Sequence, residues 1–141
     1  MLIGIVILFF WIVFALLQGL NDSYYYHYRM TSNQLKDENI HWVYFCQRFI
    51  VCTCIGLIHS MYFPILSTGI FLGSLILIFS FFHNGMYYQM RKKISHGNLY
   101  PKGWFSSSTT SQATIELNNV TRIFLAIVGI IGIIASFQIN I

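Results

Sequence analysis

Residues 2–20, LIGIVILFFWIVFALLQGL, decide the fold class of this 141-residue chain. The segment carries no charge, and Gln18 is its only amide side chain. Because a helix rises about 1.5 Å per residue, a segment of this length nearly crosses a hydrocarbon core of about 30 Å. No basic stretch precedes the segment and no small-residue cleavage motif follows it, which favours a retained transmembrane helix over a cleaved signal peptide.

The composition of the whole chain agrees with a lipid environment. Hydrophobic residues make up 56% of the chain and charged residues 9%, against about 25% charged in soluble domains. The short turn at Pro64 predicts antiparallel neighbours, and Gly129 and Gly132 predict a close helix contact. We predict one all-α domain, residues 1–141, a polytopic bundle of four transmembrane helices with antiparallel neighbours. Its spans are 2–20, 43–62, 65–82 and 121–139.

The charged residues indicate how the bundle is oriented. All of them lie between Asp22 and Arg122, and the basic ones lie in or beside the polar linkers 21–42 and 83–120, except Arg48. Four spans place both linkers on one side of the membrane. The positive-inside rule then predicts cytoplasmic linkers, with both termini on the opposite side. A net charge of +4 is better explained by anionic lipid headgroups than by nucleic acid.

Two similar polar stretches follow spans one and three. NDSYYYHYR, residues 21–29, and HNGMYYQMR, residues 83–91, align at an offset of 62 residues that superposes two tyrosines and one arginine. The tyrosines are typical of the membrane interface. The alignment also allows a weak internal repeat of two hairpins, as found in some membrane proteins.

Polar side chains gather at the predicted cytoplasmic ends of the spans. Arg48 lies inside span two, on the helical face that also carries His41. An arginine within a membrane is costly, so it faces a partner or a watery cavity, and Asp22 is the predicted partner. One reading is a structural ion pair or a snorkelling arginine, and the other is a site for an anionic group. The candidate substrate-binding or headgroup-binding residues are Asn21, Asp22, His41, Arg48, His83 and Asn84.

A divalent metal ion is a second hypothesis for the same place. Asp22, His41 and His83 are chemically suitable ligands. No pair of histidines has the spacing of a known zinc motif, and interfacial histidines more often hydrogen-bond to backbone or headgroups.

The remaining histidines and the cysteines carry weaker signals. His59 and His96 are expected to be interfacial or solvated. Cys46, Cys52 and Cys54 lie in one apolar stretch and are expected to be buried thiols rather than a disulfide framework or a zinc site. No nucleophile motif and no phosphate loop is present.

Three functions follow from these patterns. The first is a small integral membrane protein, a subunit that forms a homo-oligomer or binds a membrane or cytosolic protein, with a basic cytoplasmic face that contacts lipid headgroups. The alternative is a membrane-embedded enzyme, metal-dependent or not, acting on an anionic or lipid substrate at the cytoplasmic interface. A holin-like or effector pore is the third, although no span carries a polar stripe.

Overall fold

Four long α-helices make up the described part of the chain. The computed structural model describes residues 2–32, 39–97, 100–107 and 118–139, without the side chains of 29–32 and 39–42. The helices are α1 (Leu2–Ser32), α2 (Asn39–Ser60), α3 (Ile65–Ile94) and α4 (Asn119–Gln138), and one 3₁₀ turn spans Gly103–Phe105. All four helices are long and apolar enough to cross a membrane. The predicted all-helical, four-helix fold is therefore confirmed.

Two helices are much longer than the apolar segments that predicted them. α1 continues to Ser32 and α3 to Ile94, whereas the apolar runs end at residues 20 and 82. Hydropathy marks where lipid-compatible side chains stop, but backbone hydrogen bonds continue wherever no proline or capping residue interrupts them. Both polar stretches that we predicted as linkers therefore begin as helix.

The helix ends have identifiable causes. The last turn of α3 carries Arg91, Lys92 and Lys93, whose charges complement the carbonyl end of the helix dipole. His96 adopts a φ of 53° and the Gly97 amide donates to the Lys92 carbonyl at 2.9 Å, which is the Schellman pattern. At the start of α4, the Asn118 side chain accepts a hydrogen bond from the Thr121 amide at 2.8 Å, as N-cap residues do.

α3 lies at the centre of the bundle and packs against the other three helices. The indole nitrogen of Trp11 on α1 donates to the Leu75 carbonyl of α3 at 2.8 Å. A Cβ at Gly129 of α4 would lie 2.8 Å from the Ser74 carbonyl, and one at Gly132 would meet the Ser74 hydroxyl. The predicted close approach at these two glycines is confirmed, and its partner is α3. The buried apolar core consists of Ile7, Trp11, Phe71, Leu75, Ile78 and Ile133.

α2 is attached more loosely than the other helices. Only 6% of its span Val43–Ser60 is buried, against 33% for the spans of α1 and α3. Its large apolar side chains, including Phe45, Phe49 and Leu57, are mostly exposed. The backbones of α1 and α2 come close at few points. The contacts between these two helices are made instead by the long polar side chains described below.

The order of the contacts along the chain shows how neighbouring helices run. Residue numbers rise together along α1 and α3, from Trp11 against Leu75 to Tyr26 against Tyr87. They run in opposite senses along α3 and α4, from Ser67 against Ser136 to Tyr88 against Arg122. The predicted repeat would relate the α1–α2 hairpin to the α3–α4 hairpin. The α3–α4 pair packs closely whereas the α1–α2 pair does not, so these contacts do not confirm the repeat and it stays a prediction.

Candidate functional site

A cluster of polar side chains joins α1, α2 and α3 where their apolar runs end. We call it the Asp22 cluster, and it consists of Gln18, Asp22, Arg48, His83 and Asn84. It forms because Gly19 lets α1 approach α3: a Cβ at residue 19 would overlap the His83 carbonyl oxygen. One turn further along α1, the Asp22 carboxylate reaches the His83 ring.

His83 is the centre of this cluster. Its Nε2 lies 2.9 Å from Asp22 Oδ2 and its Nδ1 lies 2.8 Å from Asn84 Oδ1. The ring also stacks on Phe79, with 5.1 Å between centroids. The side chains of Asp22 and His83 are 8% and 12% exposed. Both ring nitrogens are therefore engaged by protein groups and largely shielded from solvent.

Both nitrogens of the His83 ring lie at hydrogen-bond distance from a side-chain oxygen. With Asn84 Oδ1 as the acceptor, Nδ1 of His83 is the donor. Nε2 has one hydrogen-bonding position, and the Asp22 carboxylate at 2.9 Å is closer to it than Arg48 Nη2 at 3.3 Å.

Arg48 joins the cluster from α2. Its Nε donates to Gln18 Oε1 at 2.9 Å, its Nη2 lies 3.3 Å from His83 Nε2, and its guanidinium carbon lies 4.7 Å from the Phe79 ring centroid. The predicted direct pair of Arg48 with Asp22 is wrong, since the carboxylate pairs with His83. His83 stands between them because the close α1–α3 contact brings it nearer to Asp22 than α2 comes.

Of the other predicted site residues, Asn21 and Asn84 have described side chains and His41 does not. Asn84 contacts His83, whereas Asn21 is exposed and donates to the Tyr44 hydroxyl at 3.2 Å. The backbone of His41 lies in the first turn of α2, but its side chain is outside the described residues. Among the side chains that the structure describes, no three histidine, cysteine or acidic groups cluster to hold a metal. The three-ligand metal site that includes His41 stays a prediction.

A second polar cluster lies between α3, α4 and the 3₁₀ turn, and the sequence did not predict it. We call it the Arg122 cluster, and it consists of Tyr88, Trp104, Ser106 and Arg122. The Arg122 side chain is fully buried. Its Nη2 donates to the carbonyls of Ser106 at 2.8 Å and Trp104 at 3.1 Å, and its guanidinium carbon lies 5.1 Å from the Tyr88 ring centroid.

The Arg122 cluster is incompletely paired within the described part of the chain. Arg122 Nε and Nη1 and the Ser106 hydroxyl are buried there without a hydrogen-bond partner. Asp22 is the only acidic residue in the described ranges, and it belongs to the other cluster. Arg91, with a side chain that is 2% exposed, adds a second buried guanidinium at the same end of α3.

A signal for the burial of Arg122 exists in the sequence of α4. Ala126, Gly129, Ile133 and Ser136 follow it at helical spacing, and all of them are buried. Small residues mark the face of a membrane helix that packs most closely. Arg122 continues that face by one turn, so the same pattern that predicts the α3–α4 contact also places the arginine inside it.

An apolar groove begins beside the Arg122 cluster. It has a volume of about 500 Å³ and lies between α1, α3 and α4. Phe105 and Ile123, the sequence neighbours of Ser106 and Arg122, line it at one end, and Ile130 lines it further along α4. Such a volume is within the range of small-molecule sites, about 300 to 1,000 Å³.

Two weaker predictions are corrected by the structure. His59 is fully buried rather than solvated: its ring stacks between Phe63 and Phe71, each 4.4 Å away, and Nδ1 lies 2.9 Å from the Thr68 hydroxyl. The α2–α3 turn causes this burial because it folds α3 back over the end of α2. The cysteines are free thiols as expected. Cys46 and Cys54 are exposed rather than buried, because the other helices cover so little of α2.

Comparison of this chain with known protein families, with curated proteins and with solved structures found no match.

Proposed function

We propose that this chain is a non-catalytic integral membrane protein whose basic end contacts anionic lipid headgroups at the cytoplasmic leaflet. In this proposal the four helices cross the membrane, with α1–α2, α2–α3 and α3–α4 as antiparallel neighbours. The contact order along the helices supports that arrangement, and the confinement of charge to one end supports the orientation. Exposed Lys93 and Lys102 provide positive charge at that end, where anionic lipids attract it.

The observation that carries the non-catalytic role is the engagement of both His83 ring nitrogens. A general base needs one nitrogen directed at its substrate, but His83 uses Nδ1 for Asn84 and Nε2 for Asp22. Arg48 in turn donates to Gln18 and lies over the Phe79 ring. The Asp22 cluster therefore joins α2 to a bundle against which it makes little apolar contact.

A membrane-embedded enzyme is the second candidate. The convergence of Asp22, Arg48 and His83 favours it, because an acid, an imidazole and a cation gathered near a membrane interface are suitable groups for acid–base work on an anionic substrate. The two candidates differ in whether His83 is open to small molecules. Self-association, by contrast, stays a prediction.

Chemical modification of histidine distinguishes the two candidates. Diethyl pyrocarbonate, applied to the full-length protein in detergent and followed by peptide mass spectrometry, modifies accessible neutral imidazoles. We expect His96, which is exposed, to react readily and His83 to react at least about tenfold more slowly, because slight exposure and engaged nitrogens deny the reagent access. His59 is the fully buried reference. Equal reaction of His83 and His96 would indicate an open site and favour the enzyme.

Orientation needs a separate measurement. We expect a carboxyl-terminal alkaline phosphatase fusion to be active outside the cytoplasm and a matched fluorescent-protein fusion to be dark there. Activity of the fluorescent fusion alone would place the carboxyl terminus in the cytoplasm and overturn the proposed orientation.

A further inference from the structure

The apolar groove and the Arg122 cluster are built from adjacent residues of the same two segments. Phe105 lines the groove while the carbonyls of its neighbours Trp104 and Ser106 accept hydrogen bonds from Arg122. On α4, Ile123 lines the groove directly after Arg122, and Ala126 lines it one turn further on. One end of the groove is therefore formed by residues bonded directly to those of the Arg122 cluster.

The donors at that end are more numerous than the acceptors the described chain supplies. Arg122 Nη2 is satisfied by two backbone carbonyls, but Nε, Nη1 and the Ser106 hydroxyl have no partner in the described ranges. A buried charge without a counter-charge is strongly unfavourable, and buried donors are almost always paired. An oxyanion satisfies both requirements, since it supplies negative charge and several acceptor oxygens to one guanidinium.

We propose that the apolar groove and the Arg122 cluster form a site for one anionic phospholipid, with an acyl chain in the groove and the phosphate on Arg122 and Ser106. The proposal deepens the headgroup contact proposed above and rests on it. Lipid is the occupant that both halves of the surface indicate. The groove is lined entirely by apolar side chains over about 500 Å³, and the sequence neighbours of Arg122 and Ser106 form one end of it.

Entry of the headgroup requires a local rearrangement. The Arg122 donors are enclosed, and the segment beside them is the single 3₁₀ turn Gly103–Phe105. This turn is held by its own backbone hydrogen bonds, such as that from the Ser106 amide to the Gly103 carbonyl at 2.9 Å, and by Trp104, whose amide donates to Gln89 Oε1 at 3.1 Å. Binding of the phosphate requires Arg122 to exchange its contacts with the Trp104 and Ser106 carbonyls for contacts with the lipid.

Native mass spectrometry of the full-length protein tests the site. The protein in neutral detergent is offered equimolar phosphatidylglycerol and phosphatidylcholine, and the lipid retained on the protein is measured. We expect wild type to retain one phosphatidylglycerol with about tenfold preference. Both lipids carry a phosphate, but only phosphatidylglycerol brings a net negative charge to Arg122, because the choline ammonium cancels the phosphate charge of phosphatidylcholine. Inorganic phosphate at millimolar concentration is offered in a second arm, and we expect it not to displace the lipid because it cannot fill the groove.

Matched variants separate the two halves of the site. Arg122→Gln is expected to abolish the preference, whereas Ser107→Ala, which changes an exposed side chain in the same segment, retains it. Ile127→Trp is expected to block the groove, whereas Val128→Trp, on the adjacent face of α4, does not. Ser106→Ala is expected to weaken retention several-fold, so the test stands even if Arg122→Gln fails to fold.

Four outcomes would overturn the proposal. They are an unchanged preference in Ser106→Ala and Ile127→Trp, equal retention of phosphatidylcholine by wild type, and displacement of the lipid by inorganic phosphate. The fourth is a stronger preference in Glu116→Gln, which would mean that this acid, six residues before Arg122, supplies its counter-charge. Lipid retention in detergent does not depend on how the protein is oriented in the membrane. A reversed topology would therefore contradict the proposed function without contradicting the lipid site.

Discussion

The two polar clusters differ in the groups that surround their buried arginine. In the Asp22 cluster, Arg48 lies beside a paired acid and imidazole, and its contacts come from two other helices, α1 and α3. In the Arg122 cluster, a more deeply buried arginine has only backbone carbonyls, an amide oxygen and an aromatic ring within the described chain. Both clusters keep buried polar atoms without a partner in the described ranges, but the Asp22 cluster leaves only one carboxylate oxygen unpaired, whereas the Arg122 cluster leaves two guanidinium nitrogens and a hydroxyl. The difference is that the first cluster has a counter-charge within the described chain and the second does not.

Removing the acid from the Asp22 cluster is expected to have the largest effect. Asp22→Ala leaves His83 without its carboxylate partner and Arg48 without a nearby counter-charge, and breaking a buried ion pair costs about 3 kcal/mol. Asn21→Ala is the matched control, because it removes a neighbouring polar side chain that is exposed and makes one hydrogen bond to Tyr44. Reversible unfolding in mixed micelles measures both. If the two variants lose similar amounts of unfolding free energy, the Asp22 cluster does not stabilise the contact between α2 and the rest of the bundle.

The close approach that assembles the same cluster provides the next test. In Gly19→Ala the new methyl group meets the His83 carbonyl, which is backbone and cannot turn aside, so we expect a loss of about 2 kcal/mol from overpacking. Gly73→Ala adds the same methyl group on α3 where nothing lies within 4 Å, and we expect a gain of about 0.5 kcal/mol from helix propensity. If both substitutions stabilise the protein, the close approach of α1 and α3 does not depend on a glycine at residue 19.

Supplying an acid to the Arg122 cluster should have a smaller effect, opposite in sign to the loss of Asp22. Ser106→Asp places a carboxylate beside Arg122, and a hydrogen bond to a charged group contributes about 1.5 kcal/mol. We expect higher stability in lipid-free detergent together with a lost preference for phosphatidylglycerol. Ser107→Asp, at the exposed neighbouring position, should change neither. Destabilisation by Ser106→Asp alone would mean that the Arg122 donors are already satisfied.

Local patterns predicted the parts of this protein that depend on local physics. The four apolar segments predict four helices because hydrocarbon-compatible length and hydropathy are properties of contiguous residues. The small residues of α4 predicted a close contact, and Gly129 and Gly132 make it. The convergence of Asp22, Arg48 and His83 at one level followed from counting residues from the ends of the apolar runs.

The partners of each charge could not be predicted in this way. Asp22 and His83 are 61 positions apart, and their contact depends on how closely Gly19 allows two helices to approach. Arg122 was predicted only as one of several basic residues beside a linker, yet it is fully buried. His59 was expected near solvent, whereas three-dimensional packing encloses it in aromatic rings.

The helical class, the four apolar segments and the confinement of charge to one part of the chain could be predicted from the sequence, because each is a property of neighbouring residues. The position of His83 between Asp22 and Arg48 and the enclosure of Arg122 between α3, α4 and the 3₁₀ turn were visible only in three dimensions. Those features arise from helix separation and side-chain burial, which depend on residues far apart in the chain.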